Sequence, residues 1–223
     1  MNNTKKIWKK VSDMNIQDSL LLGPINAESL LKDPKHLAFT LSRYKFSAKI
    51  LKKCGHIVEI GCGEGLGSMM FLAETKAKIA AIDFDNKQIS YAKENIFPHT
   101  KGRVEFIQWD IAAKPYQGKQ ADGLVCLDVI EHIHSSQERK FIRHCVALVK
   151  KGGVAIFGTP NQCAAKYASK RSKIGHINLF DPTRLTSTLE KYFSHVFLFS
   201  MNDEIVHTGY DKMAHYLMAL CVK

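Results

Sequence analysis

The sequence predicts a doubly wound α/β fold, a mostly parallel sheet with helices on both faces, and three observations carry that prediction. Beyond residue 54, short β-type runs alternate with amphipathic segments of helical period. Parallel neighbours need a crossover, which is usually a helix. A glycine-rich loop, GCGEG at 61–65, follows the first run and opens the first helix after it, and Asp83 ends the second run. A chain of 223 residues with 45% hydrophobic content can bury one sizeable core, or one domain plus an extension.

Residues 1–53 read as an N-terminal helical extension and 54–223 as the main domain. In the extension, Leu20, Leu21, Leu22, Leu30 and Leu31, then HLAFTLSRYKFSAKIL, read as helices. Leu37, Leu41, Tyr44 and Ala48 recur at three- and four-residue spacing and make one apolar face. The strand candidates are HIVEI (56–60), KIAAID (78–83), RVEFIQ (103–108), ADGLVCLD (121–128) and GVAIFGT (153–159). Between them LGSMMFLAET, NKQISYAKENI and SQERKFIRHCVALVK carry helical periodicity. The tail breaks this rhythm: HVFLFS (195–200) and HYLMALCVK (215–223), separated by a polar loop, predict a closing hairpin that adds an antiparallel strand at the sheet edge.

Gly61, Gly63 and Gly65 remove side chains where a backbone must turn sharply and approach a ligand. A dinucleotide-type loop would need glycine at position 66, which is Leu66. Asp83 lies 22 residues beyond Gly61, where a carboxylate can accept hydrogen bonds from both ribose hydroxyls. Glu59, just ahead of the glycines, would oppose a phosphate but suits a cationic group such as an ammonium. The loop therefore asks for a ligand with a ribose and a positive charge.

At these residues the chain resembles the class I S-adenosylmethionine-dependent methyltransferases. VEIGCGEG is similar to their first motif, AIDFD to the ribose-binding strand end, FIQWDI to the third-strand motif, ADGLVCLDVIEHI to the fourth and LVKKGGVAIFGTPN to the turn and fifth strand. The resemblance spans roughly residues 40 to 223. It implies a Rossmann-like seven-stranded sheet whose last strand is antiparallel, and S-adenosyl-L-methionine as cofactor. It also implies cofactor contacts from Glu59, Gly61, Cys62, Gly63, Gly65, Asp83, Phe84, Asp110, Ile111 and Asp128, with Asp110 at the adenine amino group. Within SRYKF (42–46), Arg43 reaches the methionine carboxylate if the segment closes as a lid; alternatively Tyr44 and Phe46 only pack. Taken singly, each glycine could merely relieve a turn, Asp83 or Asp110 could cap a helix, and Cys62 could be a small packing residue.

The fourth-strand candidate runs into CLDVIEHIHSS (126–136), at the carboxyl edge where open α/β folds bind ligands. In one helical turn, Asp128, Glu131 and His132 would share a face at i, i+3 and i+4. With His176 from KIGHINLFDPTRL, they could ligate a divalent cation, Mg or Mn. Without a metal, His132, Glu131 and His176 could act on the acceptor proton; a third reading leaves the charges as helix-start residues. Ubiquinone-biosynthesis-type O-methyltransferases have a similar turn, and Hen1-type RNA 2'-O-methyltransferases use one with later histidines to bind a cation. Here Asp128 replaces the first glutamate, and no clear second histidine stands beside His176. His134 is expected to face solvent.

Six cysteines without a C-x-x-C pair suggest neither a zinc ribbon nor a disulfide framework and fit reduced, intracellular thiols. No apolar run approaches the roughly 20 residues of a membrane helix, so the expected location is cytoplasmic. The net charge of +11 permits nucleic acid, an anionic membrane surface or a phosphorylated substrate. Lys166, Lys170, Arg171 and Lys173 could form a basic helical face for a phosphate or carboxylate, or a solvated one. The expected function is O-methylation of a small polar, anionic or phosphorylated metabolite, such as a nucleotide-linked or surface-polysaccharide precursor. The alternatives are a metal-dependent RNA 2'-O-methyltransferase and a catalytically silent cofactor-binding subunit.

Overall fold

The structure, a computed structural model, describes residues 3–14 and 19–223; positions 1, 2 and 15–18 of the N-terminal extension lie outside the described residues. The extension contributes helices α1 (Asn3–Ser12), α2 (Pro24–Lys32) and α3 (Pro34–Ile50). The alternating part follows as β1 (His56–Ile60), α4 (Leu66–Glu74), β2 (Lys78–Asp83), α5 (Asn86–Tyr91), β3 (Val104–Gln108), β4 (Ala121–Leu127), α6 (Ser135–Ala147) and β5 (Val149–Pro160). The chain closes with α7 (Lys170–Gly175), α8 (Pro182–Leu189), β6 (His195–Asn202), β7 (Ile205–His207) and β8 (Tyr216–Val222).

These strands form one sheet in the order β3-β2-β1-β4-β5-β8-β6-β7. Strand β1 pairs in parallel with both β2 and β4, so the strand order reverses beside it, the position where doubly wound sheets bind ligands. Both faces are covered. Val58, Ala80, Leu124 and Cys126 pack with Phe141 and Ile142 of α6, whereas Ile57, Ile79 and Val125 pack with Ala48 of α3 and Phe71 of α4. Alternate residues of each strand thus enter opposite cores, which is why the strands read as continuous apolar runs rather than alternating ones.

Three sequence expectations need correction. The sheet has eight strands, not seven, because Ile205–His207, inside the polar loop, pairs with the end of β6. The tail is not a simple edge hairpin: β8 inserts between β5 and β6 and runs antiparallel to both. Leu20–Leu22 are not helical. Pro24 disfavours helical backbone at the residue before it, and the Tyr91 hydroxyl donates to the Leu21 carbonyl at 2.5 Å, holding this stretch against α5. The six cysteines are all unpaired.

The start of α2 sits over the glycine loop. Its free backbone N–H groups at Ile25 and Asn26 donate to the Glu64 carboxylate at 2.8 and 3.0 Å, and the Asn26 amide adds a bond of 2.6 Å. A carboxylate at a helix N-terminus satisfies unpaired donors and complements the helix dipole. On the other side, Glu28 of α2 pairs with Arg171 of α7 at 3.3 Å. The extension therefore spans from the loop after β1 to the segment after β5.

Candidate active site

The glycine loop owes its shape to backbone that other residues resist. Gly61, Gly63 and Gly65 have φ of 78°, 54° and 83°. A Cβ on Gly61 would lie 2.2 Å from a Val129 methyl group, so the loop also needs glycine there to pass the end of β4. Gly65 caps α4 in the left-handed region, and the helix starts at Leu66, where a dinucleotide loop would carry its third glycine.

Two carboxylates flank this loop. The Asp83 Oδ2 accepts from Gly63 N–H and its Oδ1 from Asp85 N–H, both at 2.9 Å, tying the end of β2 to the loop. Glu59 is fully buried; Ser68 donates to its Oε2 at 2.5 Å, while Oε1 has no partner among the described residues. Burial pushes its carboxyl up to about 7, against the hydrogen bond from Ser68. Cys62 is buried, and burial beside Glu59 raises its thiol well above the ordinary range, which suits packing and not nucleophilic attack.

Further along the sheet edge, Trp109 N–H donates to the Asp83 carbonyl at 2.8 Å, joining the ends of β3 and β2. Asp110 follows, its Oδ1 accepting from Ala112 and Ala113 N–H at 2.8 and 3.0 Å, while Ile111 is buried beneath it. Phe84, beyond Asp83, leaves its ring exposed. An exposed ring, a buried aliphatic side chain and a fixed carboxylate thus follow the ends of β2 and β3.

The turn after β4 departs from the expected helical face. Asp128 has φ 56°, a left-handed conformation that Asp tolerates, and only Ile130–His132 form a short 3-10 turn. Both Asp128 oxygens accept from Arg43 Nη1 at 2.9 Å, so this carboxylate does not point at its supposed co-ligands. Arg43 is itself buried and its guanidinium lies 3.7 Å above the Tyr216 ring. Arg43 and Asp128, both expected at the cofactor, thus pair with each other. His134 remains exposed but caps α6, accepting from Ser136 N–H at 3.3 Å.

Glu131, His132 and His176 do come together, with a donor atom of each within 4.8 Å of the others. Glu131 is fully buried; its Oε2 accepts from Thr159 at 3.1 Å and its Oε1 has no partner among the described residues. Burial, then the nearby Asp128 charge, push its carboxyl up to about 8. His132 Nδ1 lies 2.8 Å from the Gly175 carbonyl, which leaves Nε2 as an acceptor if Nδ1 carries the proton. The His176 ring stands edge-on at 5.0 Å from that of His132, and burial together with His132 lowers its pKa.

Against known proteins, residues 57–153 match the family model described as a methyltransferase domain. Over these residues the chain is similar to a methyltransferase domain. Over 129 residues it is 29% identical to the ubiquinone biosynthesis O-methyltransferase of Coxiella burnetii, covering 58% of this chain and 53% of that protein. Over 106 residues it is 29% identical to a probable S-adenosylmethionine-dependent methyltransferase of Mycobacterium tuberculosis, covering 48% of this chain and 36% of that one. The chain thus matches only about a third to a half of these relatives' length. The methyltransferase domain of bacterial CtHen1 shares the fold, at a TM-score of 0.68 and 16% identity over 82% of this chain and 98% of that one.

Several residues that shape the site carried no local signal. Asn178 N–H donates to the Glu131 carbonyl at 3.0 Å, and its amide donates to Glu138 at 2.8 Å. Arg184 binds both Glu138 and the Asn178 side chain. This network holds the His176 loop against the Glu131 turn, yet its two halves lie 40 or more positions apart in sequence. The basic segment is partly spent on structure, with Arg171 on Glu28 and Lys173 donating to the Lys166 carbonyl at 3.3 Å.

The two raised carboxyls make stability pH-dependent. Their folded values of about 7 and about 8 exceed the unfolded 4.5, so the native state holds protons that the unfolded chain releases. The stabilisation is complete below the unfolded value and is lost as pH rises through the folded ones. Thermal midpoints should fall between about pH 5 and pH 9, and Glu131→Gln should flatten that slope. Equal slopes for the two proteins would contradict the assignment.

Proposed function

We propose that this chain is a methyltransferase that moves a methyl group from S-adenosylmethionine to an oxygen of a small polar or phosphorylated acceptor, such as a nucleotide-linked or surface-polysaccharide precursor. The observation that carries this reading is the pair Glu59 and Asp83 on either side of one glycine loop. Glu59 keeps an unpartnered oxygen suited to an ammonium group, and Asp83 is pinned where ribose hydroxyls can bond its remaining lone pairs. When bound, the cofactor supplies the electrophilic sulfonium methyl group. The chain's own task is then to align the acceptor and take its proton. His176, kept neutral by burial and by His132, is suited to accept that proton. An oxygen acceptor agrees with the name of the Coxiella burnetii relative.

One observation favours a second reading. The unpartnered Glu131 Oε1 lies with His132 and His176 in a group able to hold a Mg or Mn ion. A cation there would take the place of the Glu131 proton and polarise an acceptor hydroxyl, as the metal-dependent RNA 2'-O-methyltransferase reading expects. One experiment separates these readings: methyl-labelled S-adenosylmethionine incubated with small-metabolite fractions and with small RNA, each with and without a chelator. The proposal expects label in an anionic small molecule regardless of chelation. Label in RNA that disappears on chelation would transfer the assignment to the cation-dependent reading. Label in no fraction would favour a silent cofactor-binding subunit.

A further inference from the structure

None of the candidate site residues lies on the first helix. Every side chain from Asn3 to Met14 is exposed, including Ile7, Trp8 and Val11 at 57%, 68% and 46%. At about 100° per residue, Ile7, Val11 and Trp8 fall within one arc of roughly 100°, while Lys5, Lys6, Lys9 and Lys10 take the opposite side. The helix carries no acidic residue, and among the described residues none of these four lysines forms a salt bridge. Of the 19 exposed large hydrophobic side chains among the described residues, nine lie within the first 31 positions.

We propose that α1 docks this protein onto anionic membrane surfaces, lying flat in the headgroup region with Ile7, Trp8 and Val11 inserted. Charge complementarity and the apolar stripe together select this occupant. Nucleic acid would satisfy the lysines but leave the apolar stripe wet, and a second copy of this basic helix would bring the lysines against one another. An anionic lipid surface satisfies both sets at once, and tryptophan favours that depth. Ten residues are too few to span a bilayer, and no helix among the described residues is long and apolar enough to cross one. An isolated helix this short is marginal in water, so adsorption would also stabilise it. The inference does not rest on the methyltransferase reading.

Flotation of the full chain with phosphatidylcholine vesicles, with and without about 30% phosphatidylglycerol, tests this. The protein should float with the anionic vesicles only. Reversing Lys5, Lys6, Lys9 and Lys10 to glutamate should lower partitioning by at least about fivefold per lysine. The variants should fold normally, since these side chains are exposed. Trp8 and Trp109 are the only tryptophans, so Trp109→Phe isolates Trp8, whose emission should shift to the blue on anionic vesicles. The proposal is overturned by absence of flotation, by flotation that survives charge reversal, or by RNA binding without vesicle binding. A Trp8 shift that follows protein concentration without lipid would assign the face to a second copy instead.

Discussion

Replacing Asp83 with alanine should weaken S-adenosylmethionine binding by about a hundredfold or more. Hydrogen bonds to a charged group are worth about 1.5–3 kcal/mol each, and the variant loses those proposed to the ribose. It also frees the Gly63 and Asp85 N–H groups that the carboxylate now holds at 2.9 Å. The loop would then lose its link to β2 as well as its ligand contacts. Asp83→Asn separates the two effects, because a neutral amide oxygen can still accept from Gly63 while giving up the charge. Calorimetry should rank affinity as wild type, then asparagine, then alanine, with the asparagine thermal midpoint between the other two, since its amide can accept only one of the two N–H bonds. Unchanged affinity in the alanine variant would remove Asp83 from the cofactor site.

Gly61→Val should be the most destabilising single change at the loop. A side chain at φ 78° costs about 1–2 kcal/mol in backbone strain. The new Cβ would overlap the Val129 methyl, 2.2 Å away, and overpacking adds about 1–3 kcal/mol. The total, about 2–5 kcal/mol, is a large part of a typical domain's stability. Urea unfolding of Gly61→Val, Val129→Ala and the double variant checks the cause. Val129→Ala should recover the packing part of the loss and leave the backbone part. A double variant no more stable than Gly61→Val would show that the Val129 contact is not the source.

What the sequence made legible follows the range over which residues interact. The β1–loop–α4 unit and Asp83 lie within a few dozen residues, and periodicity with glycine spacing announced them. Strand β7 was hidden because Ile205 and Val206 stand alone between charged and polar neighbours, and their pairing depends on β6 already being placed. The insertion of β8 beside β5 likewise depends on a seven-residue antiparallel ladder with a strand far earlier in the chain. The Asp128 turn misled for a different reason. Spacing of i, i+3 and i+4 assumes helical backbone, whereas Asp128 adopts φ 56° and faces Arg43, 85 positions away. Nothing in CLDVIEHIHSS records that partner. The same holds for Asn178 and Arg184, which brace the Glu131 turn through contacts that no local pattern encodes.

The central claim is that the crevice beside β1 takes a sulfonium nucleoside and not a dinucleotide, and calorimetry on the intact chain tests it most directly. Titrations with S-adenosylmethionine, S-adenosylhomocysteine and NAD should give saturable heats for both sulfur ligands and none for NAD. Glu59→Gln should weaken S-adenosylmethionine binding through the ammonium contact. Tight NAD binding with no response to either sulfur ligand would contradict the account.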